Sequence, residues 1–177
     1  MHSVSYKVRR FLFTALVIGG ALAMLGGCSS SDDPTLPIGS WDDGFGNVYT
    51  ITGTTISYTG EFEGTAYGYT GAIVYIDDSR FNGGDTSITD GGDTAVNPGH
   101  FAFQYTSVSD PSWGEVGKYN VFRWADGASE NEKVMVQGGK YNEDFSVMVV
   151  FDSNAAARNG ATNDAGFFAF ASTVTRQ

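Results

Sequence analysis

From Gly39 onward the chain alternates apolar and polar positions with a period of two, and glycine punctuates the pattern. Residues 47–52 (NVYTIT) and 54–59 (TTISYT) are β-branched and aromatic runs parted by Gly53. They predict a hairpin in which Tyr49 shares a face with Ile51, and Ile56 with Tyr58. Residues 71–76 (GAIVYI) predict a third strand, and the alternation of Phe101, Phe103 and Tyr105 a fourth. Residues 118–124 (KYNVFRW), 132–137 (EKVMVQ) and 145–151 (FSVMVVF) continue the series, the last with Phe145, Val147, Val149 and Phe151 on one face. Residues 166–174 (GFFAFASTV) close it. One short helix is predicted at Ser153–Arg158, where a Ser/Asn cap leads three alanines and Asn159-Gly160 stops the turn. Strands at regular spacing with turn signals between them make the fold nearly all-β, a barrel or a β-sandwich.

The first 28 residues follow a different pattern. Lys7, Arg9 and Arg10 precede an uncharged apolar run of 15 residues, Phe11 to Leu25. That is the layout of a secretory signal, and the run is shorter than the roughly 20 residues a spanning helix needs. The tetrapeptide Leu25-Gly26-Gly27-Cys28 resembles the lipobox of bacterial lipoproteins. The resemblance implies cleavage before Cys28, a diacylglyceryl (palmitate-type) chain pair on its sulfur and a further acyl chain on its new amino group. Ser29 after the cysteine resembles the pattern sorted to the outer membrane of Gram-negative cells. Residues 29–37 (SSSDDPTLP) are polar, hold two prolines and show no periodicity, so they read as a spacer. The expected division is a signal peptide over 1–27, a lipidated cysteine and flexible tether over 28–38, and a β domain over 39–177.

Composition narrows this picture. The 177 residues are 41% hydrophobic and only 17% charged, which is incompatible with a disordered polyelectrolyte. The formal charge is -10, and losing Lys7, Arg9 and Arg10 with the leader takes it to -13. Such acidity argues against nucleic acid, whose phosphates need clustered Lys and Arg. It also repels the domain from anionic lipid, so the acyl chains alone are expected to hold it to the bilayer. With Cys28 the only cysteine, the mature domain has no disulfide.

The domain opens on Gly39-Ser40-Trp41, a G-x-W at the start of the first strand that resembles the lipocalin and calycin signature. The resemblance implies an up-and-down antiparallel β-barrel of about eight strands. In it Trp41 would plug one end, and Arg176 would pack over the indole. It further implies a small hydrophobic ligand inside the barrel. The family's second motif, of Thr-Asp-Tyr type, has no counterpart here, nor has its long helix before the final strand.

Candidate chemistry is sparse. His100 is the one histidine left after the leader and reads as a turn or rim residue; there is no cysteine nucleophile and no G-x-S-x-G elbow. The chain is therefore expected to be non-enzymatic and without a cofactor. Residues 77–99 repeat Gly-Gly-Asp-Thr and carry five aspartates, of which Asp85, Asp90 and Asp93 are the Ca²⁺ candidates. Their spacing matches no calcium motif, and a solvated loop without metal is the expectation. Among the crowded aromatics, Tyr69, Tyr75, Phe103, Tyr105, Trp113 and Trp124 are the candidate ligand-lining residues. Lys118 and Arg123 read as solvated strand positions or as counter-charges for an anionic ligand. The expected function is an outer-membrane-anchored lipoprotein that binds a small hydrophobic or amphipathic molecule. The alternative is an envelope module that binds a protein or glycan through its loops.

Overall fold

In the computed structural model the described residues are 35–77, 87–90, 93–96, 98–143 and 147–177. The predicted leader, Cys28 and the tether up to Pro34 lie outside them. Strands β1 (Gly39–Asp42), β2 (Val48–Ile51), β3 (Thr55–Phe62) and β4 (Thr65–Asp77) run as an antiparallel meander. After a two-stranded excursion, β5 (Ser87–Asp90) with β6 (Asp93–Val96), the meander resumes. It continues through β7 (Gly99–Val108), β8 (Tyr119–Asp126), β9 (Glu132–Gln137) and β10 (Ser172–Arg176). Pairing of β10 with β1, Trp41 opposite Arg176, closes an eight-stranded up-and-down barrel. The barrel expectation holds and the sandwich is set aside.

Alternation explains the interior. Ile51, Ile56, Tyr58, Tyr69, Phe101, Phe103, Tyr105, Phe122, Trp124, Met135 and Val174 point inward around Trp41 and form one cluster. Eight strands enclose a space that side chains just fill, and here the filling is aromatic. Phe101 stacks on Phe122 at 5.0 Å, and Tyr69 on Phe103 at 5.6 Å. Two glycines make room for the rings. A Cβ at Gly71 would stand 2.4 Å from Phe103, and one at Gly99 would stand 2.5 Å from Trp124.

One end of the barrel is closed by the chain that leads into it. Trp41 has no solvent exposure, and its Nε1 donates to the carbonyl of Pro37 at 2.9 Å. Trp124 Nε1 donates to the carbonyl of Thr35 at 3.0 Å, and Leu36 packs against the core between them. The Arg176 guanidinium lies 4.9 Å over the Trp41 ring and donates to the Ile38 carbonyl at 3.2 Å.

A second apolar layer covers the outer face of β7–β9. The helix α1 (Asn154–Gly160) begins at Ser153, whose Oγ accepts from Ala156 N, close to the predicted 153–158. Ala157, Ala161, Phe167 and Phe168 pack on the outward residues Ala102, Val121, Ala125, Val134 and Val136. Strand β8 is therefore buried on both faces from Asn120 to Ala125. This corrects the reading of Arg123 as solvated or as a counter-charge: it is fully buried beneath the layer. There its guanidinium sits 4.7 Å from the Phe168 ring and donates to Asn163 at 3.1 Å. Lys118 pairs with Asp152 at 2.6 Å on the surface.

Two predicted strands change character. Of the run predicted over 145–151, the described residues 147–151 form only isolated bridges, Tyr141 to Met148 and Tyr119 to Phe151. The alternation there is real, with Met148 and Val150 toward the inner cluster and Val149 and Phe151 toward the outer one. Phe145 lies outside the described residues. A closed barrel leaves no strand edge for this segment to join, so it packs as extended chain. The final predicted run joins the barrel ladder only at Ser172; before it Phe168 makes a single parallel bridge to Gly139, and Phe167 and Phe168 belong to the outer layer.

The loop predicted at 77–99 contains the β5–β6 hairpin, with Asp90 opposite Asp93. Asp85 lies outside the described residues. Among the described residues, no three His, Cys, Asp or Glu side chains stand close enough to hold a metal ion.

His100 lies beside the outer layer, opposite Arg123 on β8, and is 4% exposed. Burial lowers its pKa to about 4; Asp77 opposes this, while Arg123 and Arg158 add to it. The folded state thus binds fewer protons than the unfolded state between about pH 4 and 6.5. Stability from a neutral His100 is complete above pH 6.5 and is lost as pH falls through 4, by up to about 3 kcal/mol. Denaturant midpoints measured from pH 7 to pH 4 should fall less steeply for His100→Gln than for the parent; parallel curves would refute this.

Candidate functional site: aromatic clefts at the open end

The other end of the barrel is built differently. Its turns are β1–β2, β3–β4 and β7–β8, together with the segment that follows β9. In the β3–β4 turn Glu63 and Gly64 both take positive φ, 51° and 77°, as a tight turn matching the strand twist requires. After β7, Asp110 caps a single 3-10 turn, Pro111–Trp113, by accepting from Ser112 N at 2.8 Å. That hydrogen bond holds the Asp110 carboxyl below its usual range. The turn sets Trp113 over the mouth, stacked on Tyr67 at 5.2 Å and 5.9 Å from Tyr58.

Trp113 borders two clefts. One, of about 490 Å³, is lined by Glu63, Thr65, Tyr67, Asp110 and Trp113. The other, of about 330 Å³, has Tyr49, Tyr58, Trp113, Tyr141, Met148 and Phe170 as its apolar wall. Asp43, Asn47, Gln137 and Ser172 supply its polar groups, and Gly139 completes it. Both lie within or near the lower part of the roughly 300–1,000 Å³ range of small-molecule sites.

Polar networks hold the walls. The Tyr105 hydroxyl accepts from Asn120 at 3.1 Å and from Gln137 at 2.7 Å, and donates to the Trp113 carbonyl at 3.3 Å. Burial keeps this phenol protonated, against the pull of the two amides. On the opposite side Tyr67 donates to Asn47 Oδ1, and Asn47 donates to Asp43 at 2.6 Å. Tyr49 and Tyr58 face each other across β2 and β3 with rings 4.8 Å apart. Burial, and after it the negative charge of Asp43, raises the Tyr49 pKa. Tyr69 is 3% exposed, yet its hydroxyl finds no hydrogen-bond partner among the described residues. Its pKa rises through burial, and the neighbouring phenols of Tyr49, Tyr105 and Tyr58 add to this.

The structure separates the six residues expected to line a cavity. Trp113 borders both clefts. Tyr69, Phe103 and Tyr105 are filled core beneath them, and Trp124 lies at the closed end. Tyr75 is on the outer face, under the Arg158 guanidinium at 3.8 Å. The cause is an irregularity in β4: Ile73 pairs with Phe103, Tyr75 with Ala102, and the shift between them reverses the side. Tyr49, Tyr58, Tyr141, Met148 and Phe170 were not among the expected lining residues. For Tyr49 and Tyr58 the hairpin register carried the signal, since both sit near the strand ends that form the mouth. His100 lines neither cleft. Comparison with protein-family models, with curated proteins and with solved structures returned no match.

Tyr105→Phe keeps the ring but takes the acceptor away from two buried amides. Unfolding free energy measured in urea should drop by about 1–3 kcal/mol. No change would show that the amides re-pair without it.

Proposed function

We propose that the chain is a non-enzymatic envelope lipoprotein, held to the outer membrane through acylated Cys28, whose barrel binds a small hydrophobic or amphipathic molecule at its open end. The observation that carries the binding half is the cleft of about 330 Å³ walled by Tyr49, Tyr58, Trp113, Tyr141, Met148 and Phe170. Its apolar wall with a few convergent polar groups has the composition of small-molecule sites. The filled interior below excludes a ligand buried deep in the barrel, so the bound molecule lies at the mouth with one end in solvent. The leader sequence supports the anchoring half: a basic start, a 15-residue apolar run and Leu25-Gly26-Gly27-Cys28.

Three tryptophans report differently on this site. Trp41 and Trp124 are buried at the closed end, whereas Trp113 stands at the clefts. Titration with octyl glucoside below its micelle concentration should quench or shift the emission of the parent protein, and Trp113→Phe should remove most of that response. A flat titration would refute the binding half. It would favour an interaction module instead, a reading supported by the exposed Phe45 and Phe170 on loops at the same end.

For the anchor, metabolic labelling with a palmitate analogue should mark the parent chain and leave Cys28→Ala unlabelled and released from the membrane fraction. Persistent labelling of the variant would refute the assignment.

A further inference from the structure

The lining of the two clefts carries charge of one sign; Lys140, between the lining residues Gly139 and Tyr141, turns its ammonium to the Phe167 ring, 5.6 Å away. Among the residues that line the two clefts, Glu63, Asp110 and Asp43 are acidic and none is Lys, Arg or His. Lys118 is engaged by Asp152 on the surface, and Arg123 lies under the outer layer. The rings that border the clefts, Trp113, Tyr67 and Tyr58, form one mutually packed group with centroids 5.2–6.1 Å apart. Aromatic faces carry negative quadrupole density and attract cations, most strongly at indole.

Resting on the reading of the open end as a ligand site, we infer that its ligand is an amphiphile with a cationic, alkylammonium-type head. The apolar tail lies along Tyr49, Met148 and Phe170, and the head meets the Trp113–Tyr67 platform between Glu63 and Asp110. An anionic head is disfavoured by the same three carboxylates. A neutral polyol head forgoes both the cation–π attraction and the charge attraction.

Three amphiphiles with one tail and different heads separate the possibilities: octyltrimethylammonium, octyl glucoside and octyl sulfate, each titrated calorimetrically below its micelle concentration. The expected order is ammonium first, by about tenfold over the glucoside, with the sulfate weakest. Raising ionic strength should narrow the gap. Glu63→Asn suits the positive φ at that turn, and Asp110→Asn retains a side chain able to cap the 3-10 turn, so both variants are expected to fold. Combined, they should bring ammonium affinity down toward that of the glucoside, a larger loss than any they cause for the glucoside itself. Equal binding of ammonium and glucoside, or preference for the sulfate, would overturn the cationic head while the cleft remains a ligand site. Failure of all three to bind would overturn the ligand site itself, and this inference with it.

Discussion

Closing eight strands on themselves removes both free edges of the sheet, and it also decides how much room is left inside. With eight strands the lumen is about as wide as the side chains that face it. In this chain those side chains are largely aromatic, so the space is used up over most of the barrel's height. Gly71 and Gly99 show how tight the fit is, since even a Cβ at either position would overlap a neighbouring ring. The filled core therefore leaves no room for a ligand in the lumen, and the two clefts bordered by Trp113 lie at one end.

The asymmetry of the two ends follows from where the chain enters. Residues 35–38 lie across the closed end, tied to it by the indole nitrogens of Trp41 and Trp124 and by Arg176. The clefts are at the other end, formed by turns and by the long segment between β9 and β10. That segment has two tasks. Its first part extends the mouth with Tyr141 and Met148, and its second part folds over β7–β9 as an outer apolar layer. In the proposed anchored form the tether joins the domain at the closed end, and the clefts sit at the end away from that junction.

Much of the fold was legible in the sequence because its signals are local. Strands β2, β7, β8 and β9 coincide with runs whose period-two pattern is plain, and α1 follows its serine cap. The site was less legible. Trp113 was found from composition, but Tyr75 was assigned to the wrong face because a shifted register in β4 reverses the alternation without leaving a mark in the residue pattern. Tyr69, Phe103 and Tyr105 share their alternation with cavity-lining residues, and only the volume around them shows that they fill the core. Arg123 reads as solvated on a strand, until a segment 40 residues further along brings Asn163 to cover it.

The sequence by itself determined the all-β character, the spacing of the strands, the single short helix and the negative charge of the domain. These depend on side-chain periodicity, capping hydrogen bonds and a count of ionisable groups, all of which act between near neighbours. Only the tertiary structure decided that residues 147–151 remain outside the ladder, that Tyr75 faces outward and that the lumen is full while its mouth is not. The outward Tyr75 depends on the register shift in β4. The other two outcomes depend on closure, which pairs β1 with β10 across 130 residues of chain and leaves no edge for the segment between β9 and β10 to join.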